Sequence, residues 1–200
     1  MAFLSIPSTF GSKTIKKYSM GVVNLAKNMG RKIAQSVGVD CDLFNEWPCQ
    51  FRINKYSMTE EDIGSLGVQM HTDSGFLTIL QEDDCVGGLE VMEKTGEFIA
   101  ISPFPCSLLV NLGDVAKAWS NGRFCNVKHQ VRCKEVAIRV SIAMFVVGPM
   151  EEAVEAPLEI VGSDALPLYR PFTVEEYRKC RLSTGLRAGE ALSLYSRRQA

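Results

Sequence analysis

Histidine is almost absent from this sequence of 200 residues, which contains only His71 and His129. Any metal binding or acid–base chemistry that uses an imidazole must therefore depend on these two residues. The sequence around each of them is where such chemistry is to be sought.

The cysteines lack the spacing of a disulfide framework or a zinc ribbon. There are seven of them, an odd number, and none belongs to a C-x-x-C pair. Disulfide-rich secreted domains and structural zinc sites both use tighter patterns. We therefore expect reduced thiols that act as small hydrophobic residues in a cytoplasmic protein.

An excess of one charge and a long apolar run are also missing. The 22 Lys and Arg residues nearly balance the 23 Asp and Glu residues, so no general basic surface for nucleic acid is expected. The longest apolar run, Ile142–Val147, is far shorter than the roughly 20 residues of a membrane span. Residues 1–7 lack the basic start of a secretory signal. We expect a monomer that binds a small-molecule substrate and neither nucleic acid nor membrane.

Hydrophobic periodicity predicts a helix followed by a sheet structure. Apolar residues recur at steps of three and four from Ile15 to Val37, and Gly38 provides a stop. From Gln50 the period changes to two. The alternation predicts strands near 50–56, 68–72, 75–80, 89–92, 98–102, 107–112, 127–132 and 138–147. Eight short strands at this spacing favour an antiparallel double-sheet jelly roll, a double-stranded β-helix, over a parallel α/β sheet.

The end of the sequence returns to a helical pattern. Residues 173–176 form a capping box, and residues 188–196 form a second helical segment. The fold class is therefore mainly β, with an N-terminal helix and C-terminal helices. We divide the chain into a helical lead-in at 1–45, a jelly-roll domain at 46–150 and a C-terminal helical extension at 151–200 that packs on the barrel.

Three side chains have the chemistry of a metal site. His71 and Asp73 are two residues apart, so on an extended strand they point to the same face. His129 lies in a later strand that a jelly roll could bring opposite them. Two histidines and one carboxylate with open positions are typical of non-heme iron(II) oxygenases. The alternatives are that His129 is an ordinary hydrogen-bonded residue, or that the site holds zinc, although no general base for a zinc hydrolase is evident nearby.

An arginine in an apolar strand predicts an anion site. Arg139 and Ser141 share one face of the strand, and a guanidinium buried there is costly unless an anion meets it. Because Arg presents a planar fork and the serine hydroxyl adds a donor, we favour the carboxylate of a ligand. An ion pair with a distant Asp or Glu is the alternative. Asn54 and Tyr56 share a face of the first strand and could hydrogen-bond a carboxylate or keto-acid oxygen.

Seven segments of the sequence form a recognisable set: FRINKY at 51–56, HTDSGFLTIL at 71–80, GGLEV at 87–91, LVNLGD at 109–114, SNG at 120–122, KH at 128–129 and RVS at 139–141. Together they resemble the plant 2-oxoglutarate- and iron(II)-dependent dioxygenases, and the similarity covers residues 10 to 190. Within that family the sequence is most similar to the auxin-oxidising dioxygenases, which convert indole-3-acetic acid to 2-oxindole-3-acetic acid.

The resemblance implies a role for each candidate residue. It implies iron ligation by His71, Asp73 and His129, and binding of the distal carboxylate of 2-oxoglutarate by Arg139 and Ser141. Tyr56 and Asn54 would assist. The implied cofactors are Fe(II), 2-oxoglutarate as co-substrate and ascorbate as reductant. The implied reaction couples decarboxylation of 2-oxoglutarate to oxidation of a small organic substrate, with indole-3-acetic acid, and hence auxin catabolism, as the candidate.

The sequence also differs in length from the pattern of the family that it resembles. Family members carry an N-terminal region ahead of the helix that begins this sequence, and that region helps to wall the substrate pocket. The alternative function is therefore a truncated, catalytically impaired protein that keeps metal and 2-oxoglutarate binding without turnover. A zinc or structural-metal jelly roll is a third possibility. Release of succinate in proportion to substrate would separate the first hypothesis from the other two.

Overall fold

The computed structural model describes residues 10–40, 44, 46–82 and 85–197. Helix α1 spans Phe10–Ser36 and confirms the predicted amphipathic helix. It ends where Gly38 takes a left-handed φ of 86°, and the amide of Val39 donates to the carbonyl of Ala34 at 3.1 Å. The expected lead-in at 1–45 includes residues 1–9, 41–43 and 45, which lie outside the described residues.

Eight strands form two antiparallel sheets of four, as the sequence predicts. One sheet has the order β1-β8-β3-β6 and the other β2-β7-β4-β5. The strands are β1 Cys49–Met58, β2 Leu66–His71, β3 Leu77–Glu82, β4 Leu89–Met92, β5 Phe98–Ala100, β6 Leu109–Leu112, β7 His129–Arg132 and β8 Ala137–Val146. This order is that of a jelly roll, because strands adjacent in the sequence are divided between the two sheets, except for the β4–β5 hairpin.

The main hydrophobic core joins the long helix to one of the sheets. Val22 and Ala26 of α1 are buried in one cluster with Phe76, Ile79 and Met144 of the β1-β8-β3-β6 sheet region. The predicted apolar stripe of α1 is thus explained as a packing face. Tyr18 adds a polar contact at its edge, where its hydroxyl donates to the Gln81 side chain at 2.5 Å.

Short helices lie both between and after the strands of the described residues. They are α2 Asp114–Trp119, α3 Leu158–Val161 and α4 Val174–Thr184, with 3₁₀ segments at Glu60–Asp62 and Glu190–Tyr195. The predicted capping box is confirmed, since Thr173 and Glu176 exchange side-chain hydrogen bonds at the start of α4. The second predicted helical segment, at 188–196, is the 3₁₀ turn.

The C-terminal segment reaches the end of β2. The amide of Thr72 donates to the carbonyl of Arg187 at 3.0 Å, so residues 187 and 72 are held together directly. This contact places the C-terminal segment beside the first candidate metal ligand. Within the described residues, no helix combines the length and the apolarity needed to cross a membrane.

Candidate metal centre

The two histidines lie directly opposite each other on paired strands. His71 ends β2, His129 begins β7, and the antiparallel register aligns them. Their ring centroids are 4.2 Å apart. Asp73 does not lie on the strand as we expected, because β2 ends at His71. The chain turns there, and the carboxylate of Asp73 still faces both rings.

The ligand atoms of the three residues converge on one point. Nε2 of His71 lies 3.9 Å from Oδ1 of Asp73, and Nε2 of His129 lies 4.0 Å from the same oxygen. One ligand atom from each residue falls within 4.8 Å of the other two. Metal–ligand distances of about 2 Å place a single ion within reach of all three atoms.

Backbone hydrogen bonds orient both imidazoles. Nδ1 of His71 lies 2.8 Å from the carbonyl oxygen of Gln69, and Nδ1 of His129 lies 3.1 Å from that of Val127. Each carbonyl fixes the proton on Nδ1, which leaves the lone pair of Nε2 directed at the shared point. Burial lowers the pKa of His71, and the neighbouring His129 lowers it further. The neutral form that binds metals is therefore favoured.

Asp73 is held by the barrel rather than by its own strand. Its Oδ2 accepts a 2.6 Å hydrogen bond from the hydroxyl of Thr78 on β3, which leaves Oδ1 for the histidines. Its carbonyl accepts from the amide of Asp114 at 2.8 Å. Asp73 is thus fixed by Thr78 of β3, which holds its carboxylate, and by Asp114 of α2, which holds its backbone carbonyl.

Gly113 is required by its close approach to this loop. A Cβ at position 113 would lie 2.2 Å from the Gly75 carbonyl oxygen and 2.6 Å from that of Asp73. Both obstacles are backbone atoms, so Gly113→Ala must displace the Asp73 segment. We expect a loss of about 1–3 kcal/mol in the free energy of unfolding, together with weaker metal binding, measured by urea unfolding and metal titration. Gly21→Ala is the control, since its Cβ would meet nothing within 4 Å. Equal metal affinity in Gly113→Ala and the parent would contradict this prediction.

A buried ionic network supports Thr72, the residue between His71 and Asp73. Asp114 is fully buried and pairs with Arg181 of α4. Its carboxylate also accepts hydrogen bonds from Tyr177 at 2.6 Å and from Thr72 at 3.0 Å. Arg181 in turn donates to the carbonyls of Thr72 at 2.8 Å and Arg187 at 2.6 Å. Burial raises the pKa of Tyr177, and Asp114 raises it further, so the phenol remains a donor.

Sequence reasoning did not assign a role to this network. Asp114 ends the LVNLGD segment that contributed to the family resemblance. The position of Asp114 in that segment is the one sequence signal for the network, because its ion-pair partner Arg181 lies 67 residues further along the chain. The network connects the C-terminal helix to the loop that carries the candidate ligands.

Breaking the network should destabilise the protein strongly. Asp114→Asn leaves the guanidinium of Arg181 buried without a carboxylate, and loss of one partner from a buried ion pair costs about 3–5 kcal/mol. Urea unfolding measures the change. Lys179→Ala, on the same helix, is the matched control, because its pair with Glu175 is solvent-exposed and contributes little. A free energy of unfolding for Asp114→Asn within the range of the control would refute the structural role.

An inner cavity of about 130 Å³ lies between the two sheets and contains the three candidate ligands. All four candidate co-substrate residues line it, as do Ala143 and Phe145 further along β8. The structure therefore brings together every predicted site residue: Asn54, Tyr56, His71, Asp73, His129, Arg139 and Ser141.

Arg139 is buried in this cavity, and its partner on the chain was unexpected. Only 1% of the residue is exposed, and its Nη2 donates to Glu82 at the end of β3. The distant ion pair that we held as an alternative is thus present. It uses one corner of the guanidinium only, because Nε and Nη1 of Arg139 are buried without a partner among the described residues. Each of these two nitrogens could donate to a ligand anion, although they point to opposite sides of the guanidinium.

The other polar residues of the cavity surround Arg139. Asn54 donates to the hydroxyl oxygen of Ser141 at 3.3 Å, across the β1–β8 pair. The guanidinium carbon of Arg139 stands 5.2 Å from the centre of the Tyr56 ring. The cation–π contact with Tyr56 and the pairing of β1 with β8 therefore hold Asn54, Ser141 and Tyr56 near the guanidinium of Arg139.

Comparison with known proteins gives the same fold and motifs. Residues 47–147 match the family described as the 2OG-Fe(II) oxygenase superfamily. The "2-oxoglutarate-dependent dioxygenase DAO" of Oryza sativa subsp. indica is 52% identical over 182 residues, which cover 90% of this chain and 61% of that protein. The chain thus spans about three fifths of the length of this relative.

Solved structures are similar over nearly the whole chain. The crystal structure of the dioxygenase for auxin oxidation of rice has a TM-score of 0.88 at 51% identity, covering 92% of this chain and 63% of that one. The structure of JOX2 in complex with 2OG, Fe and JA also has a TM-score of 0.88, at 27% identity, and covers 98% of this chain and 59% of that one.

Proposed function

The chain belongs to the 2OG-Fe(II) oxygenase superfamily, and we propose that it is a 2-oxoglutarate-dependent dioxygenase that oxidises a small organic acid. One observation carries the proposal: the His71–Asp73–His129 cluster and the free donors of Arg139 share one cavity. A metal and an anion can therefore bind side by side there.

The residues of the cluster fit Fe(II). Two neutral imidazoles and one carboxylate form the donor set of non-heme iron oxygenases, and they leave positions for other ligands. His71, Asp73 and His129 would hold the ion, with Thr78 and the carbonyls of Gln69 and Val127 fixing their orientation.

The Arg139 side of the cavity fits the distal carboxylate of 2-oxoglutarate. One of the unpaired nitrogens of Arg139, Nε or Nη1, is the donor for it, and the hydroxyl of Ser141 lies on the same face of β8. When bound, iron and 2-oxoglutarate would supply the activation of dioxygen, which is the oxidant: one oxygen atom would convert 2-oxoglutarate to succinate and carbon dioxide, and the other would oxidise the substrate. The protein binds and orients both, and its two sheets limit the access of water to the cavity.

Indole-3-acetic acid is the first candidate substrate, because the similar solved structure from rice is named as a dioxygenase for auxin oxidation. Ascorbate is proposed as the reductant that keeps the iron ferrous. The family match at 47–147 falls inside the 46–150 segment that we propose as the jelly-roll domain.

The proposal is tested by measuring succinate. Purified protein with Fe(II), ascorbate and 2-oxoglutarate should release one succinate for each indole-3-acetic acid consumed, and much less succinate without the acid. Binding of iron and 2-oxoglutarate with no substrate-dependent succinate would instead support the alternative of binding without turnover.

A further inference from the structure

We propose that Glu82 takes up a proton when the distal carboxylate of 2-oxoglutarate binds at Arg139, so that binding of the co-substrate depends on pH. The inference rests on the proposed function and extends it, because it gives a role to the residue that holds Arg139. Glu82 does not line the inner cavity, and it acts through Arg139. It is therefore a positioning residue for the co-substrate.

Arg139 and Glu82 form a buried pair whose charges cancel. The side chain of Arg139 is 1% exposed and that of Glu82 is 5% exposed, and Nη2 of Arg139 contacts Oε1 of Glu82. A further charge beside this pair would be buried without an opposite charge to balance it, which is costly.

The distal carboxylate of 2-oxoglutarate would bring that further charge. Arg139 lines the inner cavity, whereas Glu82 lines a smaller cavity of about 50 Å³ on its other side. The guanidinium would therefore stand between two carboxylates. Carboxylates that share one guanidinium lie within about 6 Å of each other, and like charges at that distance oppose each other's ionisation. One proton restores the balance of two negative charges and one positive charge to zero.

The carboxyl group of Glu82 has a place for this proton. Its Oε2 is buried without a hydrogen-bond partner among the described residues, so an added proton displaces no existing bond. The small cavity has room for at least one water, which needs about 10–15 Å³. Ser107 lines it and donates its hydroxyl to the carbonyl of Phe104 at 2.6 Å, so the hydroxyl oxygen can accept from Glu82 directly or through water.

The surroundings of Glu82 offer no better proton acceptor among the described residues. The other residues that line the small cavity carry no ionisable group: Leu80, Ser102, Pro103, Phe104, Ser107 and Leu109. Besides Arg139, the ionisable residues that line the inner cavity are Arg52, Tyr56, His71, Asp73 and His129. Three of these are the candidate metal ligands, which the metal would occupy, and Arg52 is exposed to solvent. Asp83 and Asp84, which follow Glu82 in the sequence, lie outside the described residues.

The test counts protons by calorimetry. The protein is loaded anaerobically with Fe(II) and titrated with 2-oxoglutarate in two buffers that have different enthalpies of ionisation. The difference between the two heats gives the number of protons taken up. We expect about one proton per 2-oxoglutarate at about pH 6. Because the proton is bound more tightly in the complex than in the free protein, the dissociation constant should increase with pH, by up to about tenfold per pH unit.

A matched ligand and two variants provide the controls. The keto acid 2-oxopentanoate has a methyl group in place of the distal carboxylate, so it should bind without proton uptake. Glu82→Gln should abolish the uptake seen with 2-oxoglutarate and remove the pH dependence of its affinity. Glu97→Gln removes an exposed glutamate between β4 and β5 and should keep the uptake of the parent.

Infrared difference spectra of the parent protein locate the proton. Binding of 2-oxoglutarate should produce the carbonyl band of a protonated carboxyl group, and isotopic labelling of both ligand carboxylates should leave the band in place. A band that shifts with the label would put the proton on the ligand and overturn the role of Glu82. This measurement and the comparison with 2-oxopentanoate remain decisive if Glu82→Gln does not fold.

Other outcomes would also overturn the inference. They are binding of 2-oxoglutarate by the parent without proton uptake, equal uptake with 2-oxopentanoate, and unchanged uptake in folded Glu82→Gln. Failure of the parent protein to bind 2-oxoglutarate at all would instead overturn the proposed function on which the inference rests.

Discussion

Replacing His71 or Asp73 by alanine is expected to abolish both Fe(II) binding and succinate release. Each residue supplies one of the three ligand atoms that converge on the site among the described residues. Loss of a group that merely orients a ligand lowers metal affinity about 10- to 100-fold, so loss of a ligand should exceed about 100-fold. Anaerobic Fe(II) titration measures the first effect and succinate release the second.

The matched control is Gln69→Ala. Gln69 is exposed, lies two residues before His71, and contributes its backbone carbonyl rather than its side chain to the site. This variant should bind iron like the parent. Iron binding and turnover in His71→Ala equal to those of the parent would refute the ligand assignment, provided that circular dichroism shows both proteins folded.

Removing the charge of Arg139 is expected to raise the 2-oxoglutarate requirement without loss of iron. Arg139→Gln alone would leave Glu82 buried without its partner, so the better variant is the double replacement Arg139→Gln with Glu82→Gln. At least one charge-assisted hydrogen bond to the co-substrate is lost, at about 1.5–3 kcal/mol. The dissociation constant for 2-oxoglutarate should therefore rise by at least about tenfold.

Glu82→Gln alone is the control for this experiment. It keeps an acceptor for Nη2 of Arg139 and leaves Nε and Nη1 available. Its affinity for 2-oxoglutarate should be no weaker than that of the parent. A double variant that binds 2-oxoglutarate as tightly as the parent would show that Arg139 serves only its ion pair with Glu82.

Most of the architecture could be predicted because alternation and helical periodicity are local properties of the sequence. The strand that carries Arg139 was predicted at 138–147 and runs over Ala137–Val146. The helix predicted from its apolar stripe also formed and ends at Ser36, two residues before the predicted stop at Gly38. Each pattern depends on which side chains one element buries, so it can be recognised in the sequence without knowing which other elements pack against it.

The convergence of the two histidines was predictable because the sequence contains no other histidine that could join His71 in a metal site. A jelly roll pairs strands that are distant in the sequence, and the register of β2 with β7 places His71 opposite His129. The position of Asp73 beyond the end of β2 was not predictable, since strand ends depend on the elements that cap them. Here the amide of Asp114 and the hydroxyl of Thr78 hold the residue after the strand has ended.

The partners of the buried charges could not be read from the sequence. Glu82 meets Arg139 only because β3 pairs with β8 in a register that places Glu82 opposite Ser141. Asp114 meets Arg181 only because α4 lies beside the start of α2. Such contacts depend on the register and packing of whole elements, and no local pattern specifies either.

One anaerobic titration tests the shared metal and co-substrate centre most directly. Fe(II) is added to the metal-free protein, 2-oxoglutarate follows, and visible absorption is recorded for the charge-transfer band of a keto acid chelated to ferrous iron. We expect the band to saturate at one Fe(II) and one 2-oxoglutarate per chain, and to be absent from His71→Ala. No band in the parent, or an equal band in His71→Ala, would contradict a single centre built on His71, Asp73, His129 and Arg139.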